Sequence, residues 1–117
     1  MKRFLAAAAS AALLLAIGSS SAMASPVPVF TALPSLNHTV SFDASASVCH
    51  IGFCGYNYKY YGPTTNRLGV QMGNVPKITY TFPALGFYTV VLTVSEKCSP
   101  AGYRWCPASI SQVVTVL

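Results

Sequence analysis

Phe87-Tyr88-Thr89-Val90-Val91-Leu92-Thr93-Val94-Ser95 is the stretch on which the fold turns. Tyr88, Val90, Leu92 and Val94 fall on one face of an extended chain, and Thr89, Val91 and Thr93 fall on the other. A period of two over nine residues, rich in β-branched and aromatic side chains, predicts a strand with one face in a core. The same pattern recurs outward from it. Ile78, Tyr80 and Phe82 step by two up to Pro83, and Leu68, Val70 and Met72 step by two before a Gly73-Asn74 turn. Tyr56 to Tyr61 forms an aromatic strand ended by Gly62-Pro63. Val40 and Phe42 alternate with Ser41 and Asp43, and Ile110, Val114 and Val116 alternate at the C-terminus, interrupted by Gln112. Val27 to Ala32 reads as an edge strand, because Pro28 cannot donate to a ladder. No segment after residue 24 holds a helical period. The prediction is an all-β, antiparallel sandwich of about seven strands.

Composition bounds the rest. The chain has 117 residues, 53% hydrophobic and only 8% charged, which fits one domain and excludes a charge-rich disordered tail. Met1-Lys2-Arg3, the apolar run Phe4 to Ile17 and the small-residue site Ala22-Met23-Ala24 have the three parts of a cleavable signal peptide. That run, about fourteen residues, is short of the roughly twenty needed to cross a bilayer. The expected division is therefore a signal peptide over 1–24 and a sandwich domain over 25–117, secreted or periplasmic, with no membrane span in the mature chain. Without Lys2 and Arg3, five Lys/Arg face Asp43 and Glu96, a net charge of +3. So weak and scattered a charge gives no footprint for nucleic acid.

Cys49, Cys54, Cys98 and Cys106 all follow the leader, and an even number of cysteines in a small exported domain reads as disulfides. The C-x4-C and C-x7-C spacings are loose for zinc, so no metal is expected. Local pairing, Cys49–Cys54 with Cys98–Cys106, is preferred. A hairpin closed by Cys98–Cys106 sets Val94 opposite Ile110 and Val90 opposite Val114, which keeps the apolar residues on one face. Bridges between the two loops, Cys49–Cys106 with Cys54–Cys98, also fit a sandwich.

Three segments together resemble the polycystic kidney disease (PKD) domain. Val40-Ser41-Phe42-Asp43-Ala44-Ser45-Ala46-Ser47 resembles the family's V-x-F-D-A-S-x-S strand and turn. Phe82 to Val94 resembles its Y-x-x-P-G-x-Y-x-V-x-L-x-V segment, with Phe82 for the first Tyr and Leu85 for the Pro. Gln112 to Val116 fits the closing strand. The resemblance implies an immunoglobulin-like sandwich over Val27 to Leu117, and a module that mediates protein–protein or protein–carbohydrate contacts. Between these blocks the family carries a W-D-F-G-D-G-like stretch. Here Tyr56-Asn57-Tyr58-Lys59-Tyr60-Tyr61-Gly62-Pro63 stands instead, without an acid. Some members bind calcium, but Asp43 and Glu96 are too few hard ligands for a tight site. Asp43 is expected to hydrogen-bond the backbone of its own Ala-Ser turn.

No nucleophile motif, zinc-helix motif or phosphate loop is present, and two acids with two histidines offer few acid/base pairs. His38 and His50 read as loop residues. The expectation is a non-enzyme without cofactors, whose partner is an extracellular protein or carbohydrate. The tip Tyr103-Arg104-Trp105, tethered between Cys98 and Cys106, carries the residue types enriched at binding hot spots. In an immunoglobulin-like sandwich the loop after the second strand lies at the same end as the last hairpin tip. The Cys49–Cys54 loop, with His50, Ile51 and Phe53, therefore makes an apolar, weakly basic patch with this tip, and His50 and Phe53 join Tyr103, Arg104 and Trp105 as candidate binding residues. The competing reading has Trp105 fold back to cap the core. Tyr58 and Tyr60 are expected in the core, with Lys59 and Tyr61 on the outer face. A secreted inhibitor or effector presenting the same bridged loop to a target enzyme is the alternative function.

Overall fold

The computed structural model describes residues 25–63, 68–98 and 104–117. The signal-peptide reading of 1–24 and the candidate residue Tyr103 lie outside them. Within them the chain is all β, with no helix. Its seven strands are β1 (Thr31–Pro34), β2 (Thr39–Asp43), β3 (Gly55–Tyr61), β4 (Val70–Gly73), β5 (Lys77–Thr81), β6 (Gly86–Lys97) and β7 (Trp105–Val116). They form two antiparallel sheets, β1-β2-β5 and β4-β3-β6-β7. β2 pairs with β5 and β3 with β6, so the chain crosses repeatedly between layers. This is an immunoglobulin-like antiparallel sandwich.

The alternation read from the sequence builds its core. Tyr88, Val90, Leu92 and Val94 of β6 are buried against Tyr58 and Tyr60 of β3, Val40 and Phe42 of β2, and Val114 and Val116 of β7. Aromatic rings fill the space between the sheets, with Phe82 4.6 Å from Tyr88 and 5.0 Å from Tyr60, centroid to centroid. Full burial of each such side chain contributes about 1.5–3 kcal/mol before conformational entropy is charged against it. The polar ends of the buried tyrosines are satisfied. Tyr88 Oη donates to the Ala84 carbonyl at 2.8 Å, and Tyr58 Oη donates to the Pro76 carbonyl at 3.0 Å. The first bond, from the start of β6 to the corner just before it, is the tyrosine corner of this fold class. Burial, helped by nearby Asp43 and Tyr56, pushes the Tyr58 hydroxyl up to about 12.

Turns follow their residues. Asn37 and His38 both take positive φ, 64° and 59°, which turns the β1–β2 hairpin in the sense that suits strand twist. His38 is also a backbone pin: its N–H donates to Leu117 O and its carbonyl accepts from Phe82 N–H. Asp43 caps its own turn, accepting from Ser45 Oγ at 2.6 Å and Ser45 N–H at 2.9 Å. Those two bonds hold its carboxyl below the usual range.

Three boundaries differ from the sequence reading. The first strand is Thr31–Pro34 rather than Val27 to Ala32. Val27 makes a lone bridge to Val48, and the Ser47 hydroxyl then bonds both the N–H and the carbonyl of Val29 in place of a ladder partner. Leu68 lies exposed before β4 rather than in it. The β6–β7 register is shifted by two residues, with Val94 opposite Ala108, Val90 opposite Gln112, Leu92 opposite Ile110 and Tyr88 opposite Val114. A shift of two leaves every side chain on its face, so the apolar pattern cannot distinguish the two registers. The closure of the tip decides: Cys98 N–H donates to Arg104 O, which places Cys106 opposite Glu96.

Candidate functional site

Both local disulfides form, Cys49–Cys54 and Cys98–Cys106, with Cα separations of 5.6 and 5.5 Å. Closing loops this short contributes roughly 2–3 kcal/mol each in the chain-entropy model. The bridges lie at the same end of the sandwich, one closing the loop before β3 and the other joining the ends of β6 and β7.

What locks the first loop is an acid. Inward positions on β6 run Tyr88, Val90, Leu92, Val94, and the next is Glu96, which has 0% exposure. Its Oε1 accepts the backbone N–H of His50 at 2.6 Å and that of Ile51 at 2.8 Å, while Oε2 lies 3.2 Å from His50 Nδ1. Burial works against the charge. The Ile51 N–H and the His50 ring and N–H outweigh it, so the carboxyl sits below its ordinary 4.5. Glu96 thereby fastens the disulfide loop onto the end of β6. Gly52, at φ 71°, then turns the chain so that Phe53 projects outward, 79% exposed.

The second loop supplies the facing wall. Lys97 stands opposite Trp105. Because Cys98 and Arg104 are the hydrogen-bonded neighbours, Lys97 and Trp105 form a non-hydrogen-bonded pair, whose side chains lie closest. Trp105 is 49% exposed and is not among the core residues. Between the loops, Ile51, Gly52, Phe53, Lys97 and Trp105 line a hollow of about 300 Å³. Trp105 also borders a second, more open hollow with Gly55, Tyr56, Asn57, Thr93 and Ser95 along β3 and β6. The indole thus borders two mainly apolar hollows.

Of the candidate residues, Phe53 and Trp105 both line the cleft, while Arg104 is exposed but not in the lining. His50 is not in the lining. Its ring and N–H are turned to Glu96, so it positions the loop. Ile51, which the sequence reading put in the same patch, is in the lining, and Lys97 joins the site although the sequence reading did not select it. Glu96 was missed as well, yet its parity with Val94 was visible, and an acid on a core-facing position demands donors. Tyr58 and Tyr60 are buried in the core, with Lys59 and Tyr61 on the outer face.

Lys97 is the charged residue in the lining of the cleft, and among the described residues it has no acidic partner, the one salt-bridge contact there being His50–Glu96. Among the same residues no three of His, Cys, Asp and Glu gather as a metal cluster. No described helix is long and apolar enough to cross a membrane. The geometry can grip a flat or apolar group by stacking and place an anionic one beside Lys97. Comparison of the chain with protein-family models, with curated proteins and with solved structures finds no match.

Proposed function

We propose that this chain is an exported, non-catalytic, PKD-like binding module that engages an extracellular protein or carbohydrate through the cleft between its two disulfide loops. One observation carries the reading. Phe53 stays exposed on a loop closed by Cys49–Cys54 and fastened by the buried Glu96 carboxylate, and Trp105 stays exposed at the start of β7 beside the bridged Cys106, an arrangement that fixes both rings in place without burying them. Aromatics presented on rigid loops lose little entropy on binding, which is what a recognition surface requires. The resemblance of Val40–Ser47 and Phe82–Val94 to the PKD pattern supports the same reading, and two disulfides suit an oxidising compartment. A hollow receives a partner's group, which favours this role over an inhibitor that inserts a loop into an enzyme.

The test is capture from a glycan array and from the secreted protein fraction, with the parent chain and a triple Tyr103→Ala, Arg104→Ala, Trp105→Ala variant. Loss of capture with melting nearly unchanged is the expected result. A large fall in melting temperature would instead make Trp105 a structural cap and remove the basis of the proposal.

A further inference from the structure

Every sheet edge offers unpaired backbone groups, and among the described residues three of the four edges are blunted. β1 has four residues and ends in Pro34, β4 has four residues, and β5 has five and begins with Lys77. Short, proline-bearing or lysine-bearing edges resist pairing with another chain. β7 departs from this. It runs twelve residues at the edge of the four-stranded sheet, and Trp105 to Leu117 contains no charged residue.

The direction of its free groups follows from the ladder. Cys98 and Arg104 are hydrogen-bonded across the β6–β7 register, so the even-numbered residues of β7 bond to β6. The odd-numbered ones, Ser109, Ser111, Val113 and Thr115, therefore direct N–H and C=O away from the sheet. Pro107 shares that parity, and its missing N–H is one that the ladder to β6 does not use. Side chains along the strand are poorly covered too. Ile110 faces the inter-sheet side yet is 41% exposed, and Val113 on the outer side is 64% exposed. The facing sheet has one strand fewer and leaves this part of β7 open.

We infer that β7 pairs with β7 of a second copy of this chain, antiparallel about a two-fold axis at Ser111, joining two four-stranded sheets into one of eight. The row of donors and acceptors is self-complementary under that rotation. Ser109 of each copy faces Val113 of the other, the two Ser111 residues exchange bonds on the axis, and Thr115 N–H meets the Pro107 carbonyl at each end. Ile110 falls opposite Gln112 and diagonal to the other copy's Ile110, so each covers apolar surface its own domain leaves bare. The second copy is favoured as occupant because a strand without charge lets two like, net-positive chains meet here without repulsion. The contact consumes the edge and closes as a dimer.

Sedimentation velocity across a concentration series of the purified protein tests this, with Ser111→Pro and Ser111→Lys. Proline at 111 removes an N–H that β6 does not use, and lysine there sets two like charges on the axis. The parent chain is expected to dimerise, and both variants to remain monomers with unchanged far-ultraviolet dichroism. Amide exchange in the parent should slow with concentration at Ser109, Ser111, Val113 and Thr115, but not at the even positions between them. A parent that stays monomeric, as it would if this edge takes a strand from another protein, overturns the inference. So does a dimer that survives both substitutions, or one that protects no alternate amides. Each outcome is independent of whether the cleft binds a partner.

Discussion

Replacing Glu96 by Ala and by Gln separates the parts of the loop anchor. In the parent, one carboxylate oxygen takes two backbone N–H groups, from His50 and Ile51, and the other faces His50 Nδ1. Hydrogen bonds to a charged group contribute about 1.5–3 kcal/mol each. Ala removes both backbone bonds but also relieves the cost of burying the carboxylate, leaving a net loss of about 3 kcal/mol. In a domain this small that lowers the melting temperature by on the order of 12–24 °C. Gln keeps a neutral oxygen for the two N–H groups and an amide for the imidazole, so its cost is about 1 kcal/mol. Thermal unfolding followed by circular dichroism gives both values, and amide exchange at His50 and Ile51 should accelerate far more in the Ala variant. Acid supplies an independent check. Because the folded-state carboxyl lies below its ordinary 4.5, its contribution is present above that value and drains away as pH falls through the folded-state pKa. The Gln variant should lose that portion of the acid slope. An Ala variant within about 0.5 kcal/mol of the parent, or a Gln variant as damaged as Ala, would refute the anchor.

The tyrosine corner gives two further predictions. Tyr88→Phe should cost about 1 kcal/mol in denaturant unfolding, because the Ala84 carbonyl loses its donor. Gly62→Ala should cost about 1–3 kcal/mol, since a Cβ there would run into the Tyr88 ring at Cδ2 in a packed core. Tyr58 should ionise late in an alkaline ultraviolet titration, at about 12. Its neutral form is the one folding favours, so the stability it carries is present below the ordinary 10.0 and declines as pH climbs from there through about 12. Tyr58→Phe should flatten that alkaline decline.

The sandwich was readable because alternation survives every even shift of register. Tyr88, Val90, Leu92 and Val94 must share a face whatever lies opposite, and Tyr58 and Tyr60 follow by the same rule. What alternation cannot see is which partner is opposite, so the β6–β7 hairpin was placed two residues away from its actual register. Nor does it foresee side chains standing in for ladder partners, as Ser47 does for Val29. At the site, residue type and loop placement pointed to Ile51, Phe53 and Trp105, while Lys97 enters through the neighbour that the fold supplies. Glu96 lies between these cases. Its inward parity was on view, but its donors come from a loop 45 and 46 residues away in sequence.

Trp105 is the one tryptophan of the chain, so its fluorescence reports the wall it gives to the cleft, and Phe53→Ala separates that from the second hollow it borders. Titrating a captured glycan or protein free of tryptophan into the purified protein, with acrylamide as quencher, measures occupancy of that wall directly. A saturable blue shift of the emission with falling quencher access, abolished by Phe53→Ala, is the predicted result. Binding that saturates while emission and quenching stay unchanged would place the partner elsewhere and contradict the account.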